Sequence, residues 1–243
     1  DGDAKAVGGS YQRMFPAMKL YRSYDNADVR RDCNITGAYN PNTRYGSDLS
    51  KIPSETVDGY RYYVPAESSG VASGTSTALW CTGKFRVSDP KERSSISANQ
   101  CVMNYPLMRM AEVRLQYAEA LYFTGDESGA RKQFDPVRER VLAGDVSLKK
   151  LNEAYYRSDF VEELLEERGR ELCYESKRKI DLIRFGRITE TIEELPSEGG
   201  PNNVAVGIDL LKDNWRSYKI WLPVPQLEID LNPNLEQNAV YAD

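Results

Sequence analysis

The residues best equipped for chemistry in this chain are charged and crowded together. Glu167, Arg168, Arg170, Glu171, Arg178 and Asp181 recur at three- and four-residue steps. Two carboxylates facing one another across a cleft can hydrolyse a glycosidic bond. Acids and bases at helical spacing more readily pair along and between helices, for a few tenths of a kcal/mol per exposed pair, roughly. The second reading is structural, and it is the one adopted. The sequence contains no histidine, which removes Ser-His-Asp and Cys-His arrangements and every His-ligated metal site. Asp25, Asn26, Asp28 and Asp32 form an oxygen-rich group, but their spacing does not fit an EF-hand calcium loop, and a solvated turn is expected. No catalytic residue, metal or cofactor is expected, and the chain reads as a non-enzyme.

Binding chemistry is better represented. Aromatic faces cover the C–H surfaces of sugars while Asn, Asp, Gln and Arg side chains hydrogen-bond the hydroxyls, and residues 32–104 supply both kinds. The candidate ligand-binding residues are Tyr39, Tyr45, Tyr60, Tyr62 and Trp80, with Tyr63, Asn40, Asn42 and Arg44 nearby. Tyr and Trp also sit half buried for packing alone, so each position carries both readings.

The elements that must position these residues are helical. Residues 105–123 set Leu107, Met110, Ala111, Arg114, Tyr117, Ala118 and Leu121 on one stripe, interrupted only by Arg114, which would need a buried acid such as Glu171 or Asp181. Gly125 can end that helix in the left-handed conformation and Asp126 can cap the next. Ala118, Leu121, Tyr122, Gly125, Asp126 and Ala130 follow the small-residue pattern of a tetratricopeptide helix pair, although an ordinary helical hairpin fits the same residues. The next helix is expected over 127–141 with Ala130, Phe134, Val137 and Val141 inward, kinked or restarted at Pro136 with Asp135 as cap. The stretch 160–186 opens behind Ser158 or Asp159, gathers acids early and bases late as the helix dipole favours, and continues as a helix to about Tyr174, followed by a short helix carrying Ile180, Leu182, Ile183 and Phe185.

These segments resemble the C-terminal half of the SusD/RagB family. The family run E-R-x-x-E-L-x-x-E-G-x-R-x-x-D-L-x-R-x-G is matched by Glu167, Arg168, Glu171, Leu172, Glu175, Arg178, Asp181, Leu182, Arg184 and Gly186. Ser176 stands where the family usually has Gly, which implies strain or a displaced helix end. Arg109, Ala111, Glu112, Val113, Leu115, Ala118, Glu119 and Ala120 resemble the family's R-x-A-E-V-x-L-x-x-A-E-A. The tail from Leu222-Pro223-Val224-Pro225 to Asn232-Pro233-Asn234-Leu235 and Gln237-Asn238 resembles its closing motif, with Ala239-Val240 in place of Pro-Gly. Asp28-Val29-Arg30 and Gly83-Lys84-Phe85 are compatible with weaker landmarks.

The resemblance implies a mainly α, tetratricopeptide-like helical array with a long irregular loop and short-strand region. It implies non-catalytic, cell-surface capture of glycans for delivery to a SusC-like TonB-dependent outer-membrane transporter. The protein would be held on the extracellular face of the outer membrane by a lipidated N-terminus absent from this chain. A peptide-capturing member of the same fold and a tetratricopeptide-like scaffold that binds only protein are the alternatives.

Residues 1–14 read as a linker or cut end, and 15–243 as the C-terminal portion of one SusD-like domain. Within it, 32–104 faces the ligand, 105–187 is helical, and 188–243 is a loop and extended tail. One recognisable helix pair cannot bury both its faces, so an N-terminal half of the same protein is expected as a partner. Strands are expected at 59–64, 78–80 and 84–87, a short helix after Pro16 with Tyr21 and Tyr24 packing, a mobile surface loop over 188–217, and a clamping tail with Trp221, Leu222 and Leu227 buried.

The net charge of −5 is uneven: residues 1–104 hold 13 Lys/Arg against 11 Asp/Glu, and the rest 19 against 26. Neither portion has the basic stripe of a nucleic-acid binder. Cys33, Cys81, Cys101 and Cys173 contain no C-x-x-C pair and allow three disulfide pairings, but Cys173 lies in an apolar helical stripe and reads as a buried free thiol. No signal peptide and no run of about 18 apolar residues is present.

Overall fold

A computed structural model describes residues 17–25, 27–39, 54–57, 60–63, 78–82, 84, 104–142, 151, 155–195 and 204–241. In chain order these form helices α1 (Met18–Arg22) and α2 (Arg30–Asn34) and strands β1 (Ile35–Tyr39), β2 (Ser54–Val57), β3 (Tyr60–Tyr63) and β4 (Ala78–Thr82). Helices α3 (Met110–Phe123), α4 (Glu127–Lys132), α5 (Asp135–Glu139), α6 (Phe160–Glu171), α7 (Arg178–Arg184), α8 (Ile188–Glu193), α9 (Val204–Asn214) and α10 (Gln226–Leu231) follow, with 3-10 turns at Ser217–Ile220 and Ala239–Tyr241. The fold is mainly helical, as expected.

The turn between α3 and α4 forms as its residues dictate. Gly125 adopts φ +96°, its N–H bonds the Tyr122 carbonyl at 3.0 Å, and the Asp126 N–H reaches back to Leu121 at 2.9 Å, closing the helix end. Asp126 then caps α4 by accepting from the Gly129 N–H at 2.8 Å. Ala118 and Ala130 are fully buried between the helices, in one core with Leu115, Phe134, Val137, Phe160, Leu164 and Leu172. Phe160 stacks on Tyr122 at 4.3 Å and on Phe134 at 5.6 Å between ring centroids. Each fully buried apolar side chain of this size contributes about 1.5–3 kcal/mol.

Several expectations are corrected. Helix α3 starts at Met110 rather than 105, because Arg109 is extended (φ −142°, ψ 163°). Of the expected stripe, Ala111 and Ala118 are buried and Leu121 packs on the core, while Leu107, Met110 and Tyr117 are exposed and Leu115, not Arg114, is the buried residue between them. Pro136 does split the 127–141 helix, but Phe134 is the N-cap and Asp135 lies in the first turn of α5. Of the two expected caps of α6, Asp159 takes the role, accepting from the Glu162 N–H at 3.0 Å. Helix α6 ends at Glu171, short of Tyr174, and both Tyr174 (φ 63°) and Ser176 (φ 59°) occupy the left-handed region before α7.

Residues 188–193 and 204–214 are helical rather than a surface loop. Ile192 and Ile208 bury their side chains, and the Trp215 indole donates to Thr189 at 3.1 Å. The tail is not a buried clamp. Trp221, Leu222 and Leu227 are 65%, 75% and 65% exposed, α10 starts behind Pro225, and the segment closes on itself through Gln237, which brackets Val224 by 2.8 and 2.9 Å bonds. Among the described residues, no helix is long and apolar enough to cross a membrane.

Candidate functional site

The strands carrying most of the aromatic candidates form one antiparallel sheet in the order β2-β3-β1-β4. Tyr60 and Tyr62 lie on β3, opposite Val57 and Glu55. Tyr39 closes β1 opposite Ala78, and Trp80 stands opposite Gly37 in β4. Because Gly37 also pairs with Tyr63, residues 63, 37 and 80 form one row across three strands. The backbone thus brings Tyr39, Tyr60, Tyr62 and Trp80 into one sheet, with positions 39 and 80 on the face of that row and positions 60 and 62 on the opposite face; Tyr45 lies outside the described residues. Strands β1 and β2 carried no separate expectation, and of the strand expected at 84–87, Lys84 is a turn residue and 85–87 lie outside the described residues.

Ion pairs tie that sheet to the helices, beside the apolar packing of Ile35 on Tyr24. Strand β1 follows α2 without a break, and α2 opens with Arg30. The Arg30 guanidinium bonds Glu167 and Glu171 of α6 at 2.8 Å each and Asp28 at 2.6 Å. Asp28 also accepts from the Tyr155 hydroxyl at 2.8 Å, so this acid is buried and paired, not part of a solvated turn. Glu167 further accepts from Arg138 and Arg170 at 2.9 Å each. At the same end of the β1–β4 pair, where Ile35 stands opposite Thr82, Lys84, just past β4, pairs with Glu175 and donates to the Glu171 and Cys173 carbonyls at 2.7 and 3.3 Å. The start of β1 and the end of β4 are therefore both tied to the end of α6 and the turn beyond it.

Charge balance keeps these groups ionised. Burial would raise the Glu167 carboxyl, but Arg30, Arg170 and Arg138 hold it well below the usual carboxylate range. Burial likewise works against Glu175, and Arg109 and Lys84 prevail to keep it low. For Arg30, burial opposes the charge and Glu167 with Asp28 restores it, leaving the group well above its ordinary value. Carboxylates saturated in this way are neither bases nor nucleophiles; they are anchors. Among the described residues no group of three or more His, Cys, Asp or Glu is arranged to hold a metal.

Sequence reasoning assigned the acid partner to the wrong arginine. Glu171 and Glu175 take Arg109, just before α3, with 3.0 Å bonds from its Nε to Glu175, and Asp181 takes Arg168 at 2.7 Å and Arg184 at 3.1 Å. Arg114 lies outside this network. The signal for Arg30, Lys84 and Arg109 was present, since each stands in a segment that resembled a family landmark. Cys173 is a buried thiol, as expected, and Cys33 is exposed; Cys101 lies outside the described residues.

The family model of the SusD family matches residues 8–241. The chain is 28% identical over 250 residues to SusD-like protein P2 of Formosa agariphila, covering 98% of this chain and 42% of that protein. It is 29% identical over 201 residues to the starch-binding protein SusD of Bacteroides thetaiotaomicron, covering 81% and 31%. It thus spans less than half the length of the relatives it matches. A solved SusD superfamily protein from Bacteroides vulgatus shares the fold, with a TM-score of 0.58 at 19% identity over 97% of this chain and 46% of that one. The helix pair, the ion-paired run from Glu167 to Gly186 and the match along almost the whole chain agree: this chain belongs to the SusD family.

Proposed function

We propose that the protein binds glycans without catalysis at the cell surface and passes them to a SusC-like TonB-dependent transporter in the outer membrane. Membership of the family carries the reading, with the likeness to a starch-binding relative over 81% of the chain. The saturated buried carboxylates favour binding over catalysis, because a glycosidase needs one carboxyl free to give a proton and another free to attack or activate water. Tyr39, Tyr45, Tyr60, Tyr62 and Trp80 supply the sugar-facing aromatics, on a sheet anchored to the helices. An N-terminal half of the protein completes the domain and carries the lipid anchor. Residues 1–14 lead into the C-terminal portion of that domain, which occupies 15–243.

The test is an intrinsic-fluorescence titration with maltoheptaose, mixed plant and host oligosaccharides, and a peptide digest. A saturable change with one of the oligosaccharides and none with peptides is expected. A response to peptides alone overturns the reading in favour of peptide capture.

A further inference from the structure

Among the described residues β4 is an edge strand, because the order β2-β3-β1-β4 gives it one neighbour, β1. An edge strand has ladder bonds on one side only, so its placement depends on what holds its ends. Lys84 follows the last residue of β4, Thr82, by two positions. Its ammonium pairs with Glu175 and donates to the Glu171 carbonyl at 2.7 Å and the Cys173 carbonyl at 3.3 Å. Those partners occupy all three donors of the group. With its side chain 18% exposed, this lysine is a fixed point rather than a solvated arm.

The partners explain why the charge settles there. Helix α6 closes at Glu171, and the last carbonyls of a helix lack intrahelical donors while its dipole favours a cation. Lys84 therefore caps α6 from 87 positions away in the chain. Arg109 serves the same helix end, pairing with Glu171 and Glu175 and donating to the Glu171 carbonyl at 2.5 Å. Without Lys84, Glu175 keeps Arg109 and Glu171 keeps Arg30, so the loss falls on β4 rather than on the helices. Trp80 stands in the middle of that strand. We propose that Lys84 is a positioning residue for Trp80, holding the end of β4 against the C-terminal end of α6. Its effect on a ligand rests on the glycan reading above; its effect on the strand does not.

The test is Lys84→Met in the full 243-residue chain, read by amide hydrogen exchange, urea denaturation and titration with maltoheptaose and the mixed oligosaccharides. Loss of the charged tether is expected to speed exchange of the amides shared by β1 and β4 about tenfold, with α3 and α6 amides and the urea midpoint unchanged. Oligosaccharide affinity is expected to fall about tenfold with it, and Lys84→Arg, which keeps the charge and its donors, to recover most of both. Unchanged exchange in β1 and β4 overturns the proposal whether or not any sugar binds. Faster exchange throughout the chain with a lower midpoint overturns it too, since Lys84 is then a general brace. Faster exchange in the strands with unchanged affinity separates β4 from the ligand and overturns the positioning role. If the parent binds no oligosaccharide, the glycan reading fails and the exchange result alone decides whether Lys84 places β4.

Discussion

Arg30 and Glu167 stand 137 positions apart in sequence and 2.8 Å apart in space, with side chains 7% and 0% exposed. This ion pair joins the segment that leads into β1 to the middle of α6. It turns a local charge pattern into a long-range constraint, so the sheet inherits its position from the helices.

Removing one charge unbalances several buried partners. Glu167→Gln takes a carboxylate from Arg30, Arg138 and Arg170 at once. Arg30 keeps Asp28 and Glu171 and Arg138 keeps Glu163, while Arg170 loses its nearest carboxylate. The change is expected to cost about 3–5 kcal/mol, read by urea denaturation. A loss under about 1 kcal/mol would mean that the network behaves like surface pairs.

The same network fixes the acid limb of stability. Glu167 and Glu175 are held below the ordinary carboxylate value of 4.5 in the folded chain, so the unfolded chain takes up protons first on acidification. Their contribution is complete above about pH 4.5 and is lost as pH falls through the depressed folded values. Midpoints of thermal unfolding from pH 7 to pH 2 should stay level and then drop on the acid side. A drop centred near pH 6 would contradict the assignment, since no histidine is present to supply it.

Ser176 holds a left-handed backbone without being glycine. Ser176→Gly relieves a strain of about 1–2 kcal/mol against the greater freedom of glycine in the unfolded chain, for a net gain of about 0.5–1 kcal/mol. Urea midpoints of the two proteins measure it; destabilisation would show that the 3.2 Å bond from the Tyr105 hydroxyl to Ser176 outweighs the strain.

The two described thiols should differ in reactivity. Cys33 is exposed and Cys173 buried, and burial raises the Cys173 thiol above its ordinary value of 9.0, so its stabilising contribution is present below about pH 9 and lost as pH rises further. Iodoacetamide with peptide mapping should alkylate Cys33 in the native protein and Cys173 only after unfolding. Equal labelling would contradict the placement of Cys173 beside Tyr24, 3.6 Å from its hydroxyl.

Much of this arrangement was readable from residue types. Gly125 and Asp126 specify a turn by backbone conformation and a cap, which are local effects, and Pro136 and Asp159 act equally locally. Only part of the α3 core face was readable. Ala111, Ala118 and Leu121 were placed inward and pack there, but Met110, Arg114 and Tyr117 repeat at the same steps as Ala111, Leu115 and Ala118, so periodicity alone cannot choose between them. The choice belongs to α4 and α6, whose aromatic and small side chains accept Ala118 and Leu115. Nor could spacing distinguish Arg109 from Arg114 as the partner of Glu171, because that pairing depends on an extended residue outside the helix. The tail misled for a related reason: Trp221, Leu222 and Leu227 look like core residues by type, yet no described element covers them. For the sheet, register places Tyr39, Tyr60, Tyr62 and Trp80 on adjacent strands; their contact with a sugar is a matter for experiment.

That contact is the central claim, and calorimetric titration of the oligosaccharide giving the largest fluorescence response tests it most directly. Trp80→Ala and Tyr39→Ala, at positions that share one face of the sheet, are each expected to weaken binding about tenfold or more, the scale of a well-placed aromatic contact. Unchanged affinity in both variants would contradict the account and move the glycan site away from this sheet.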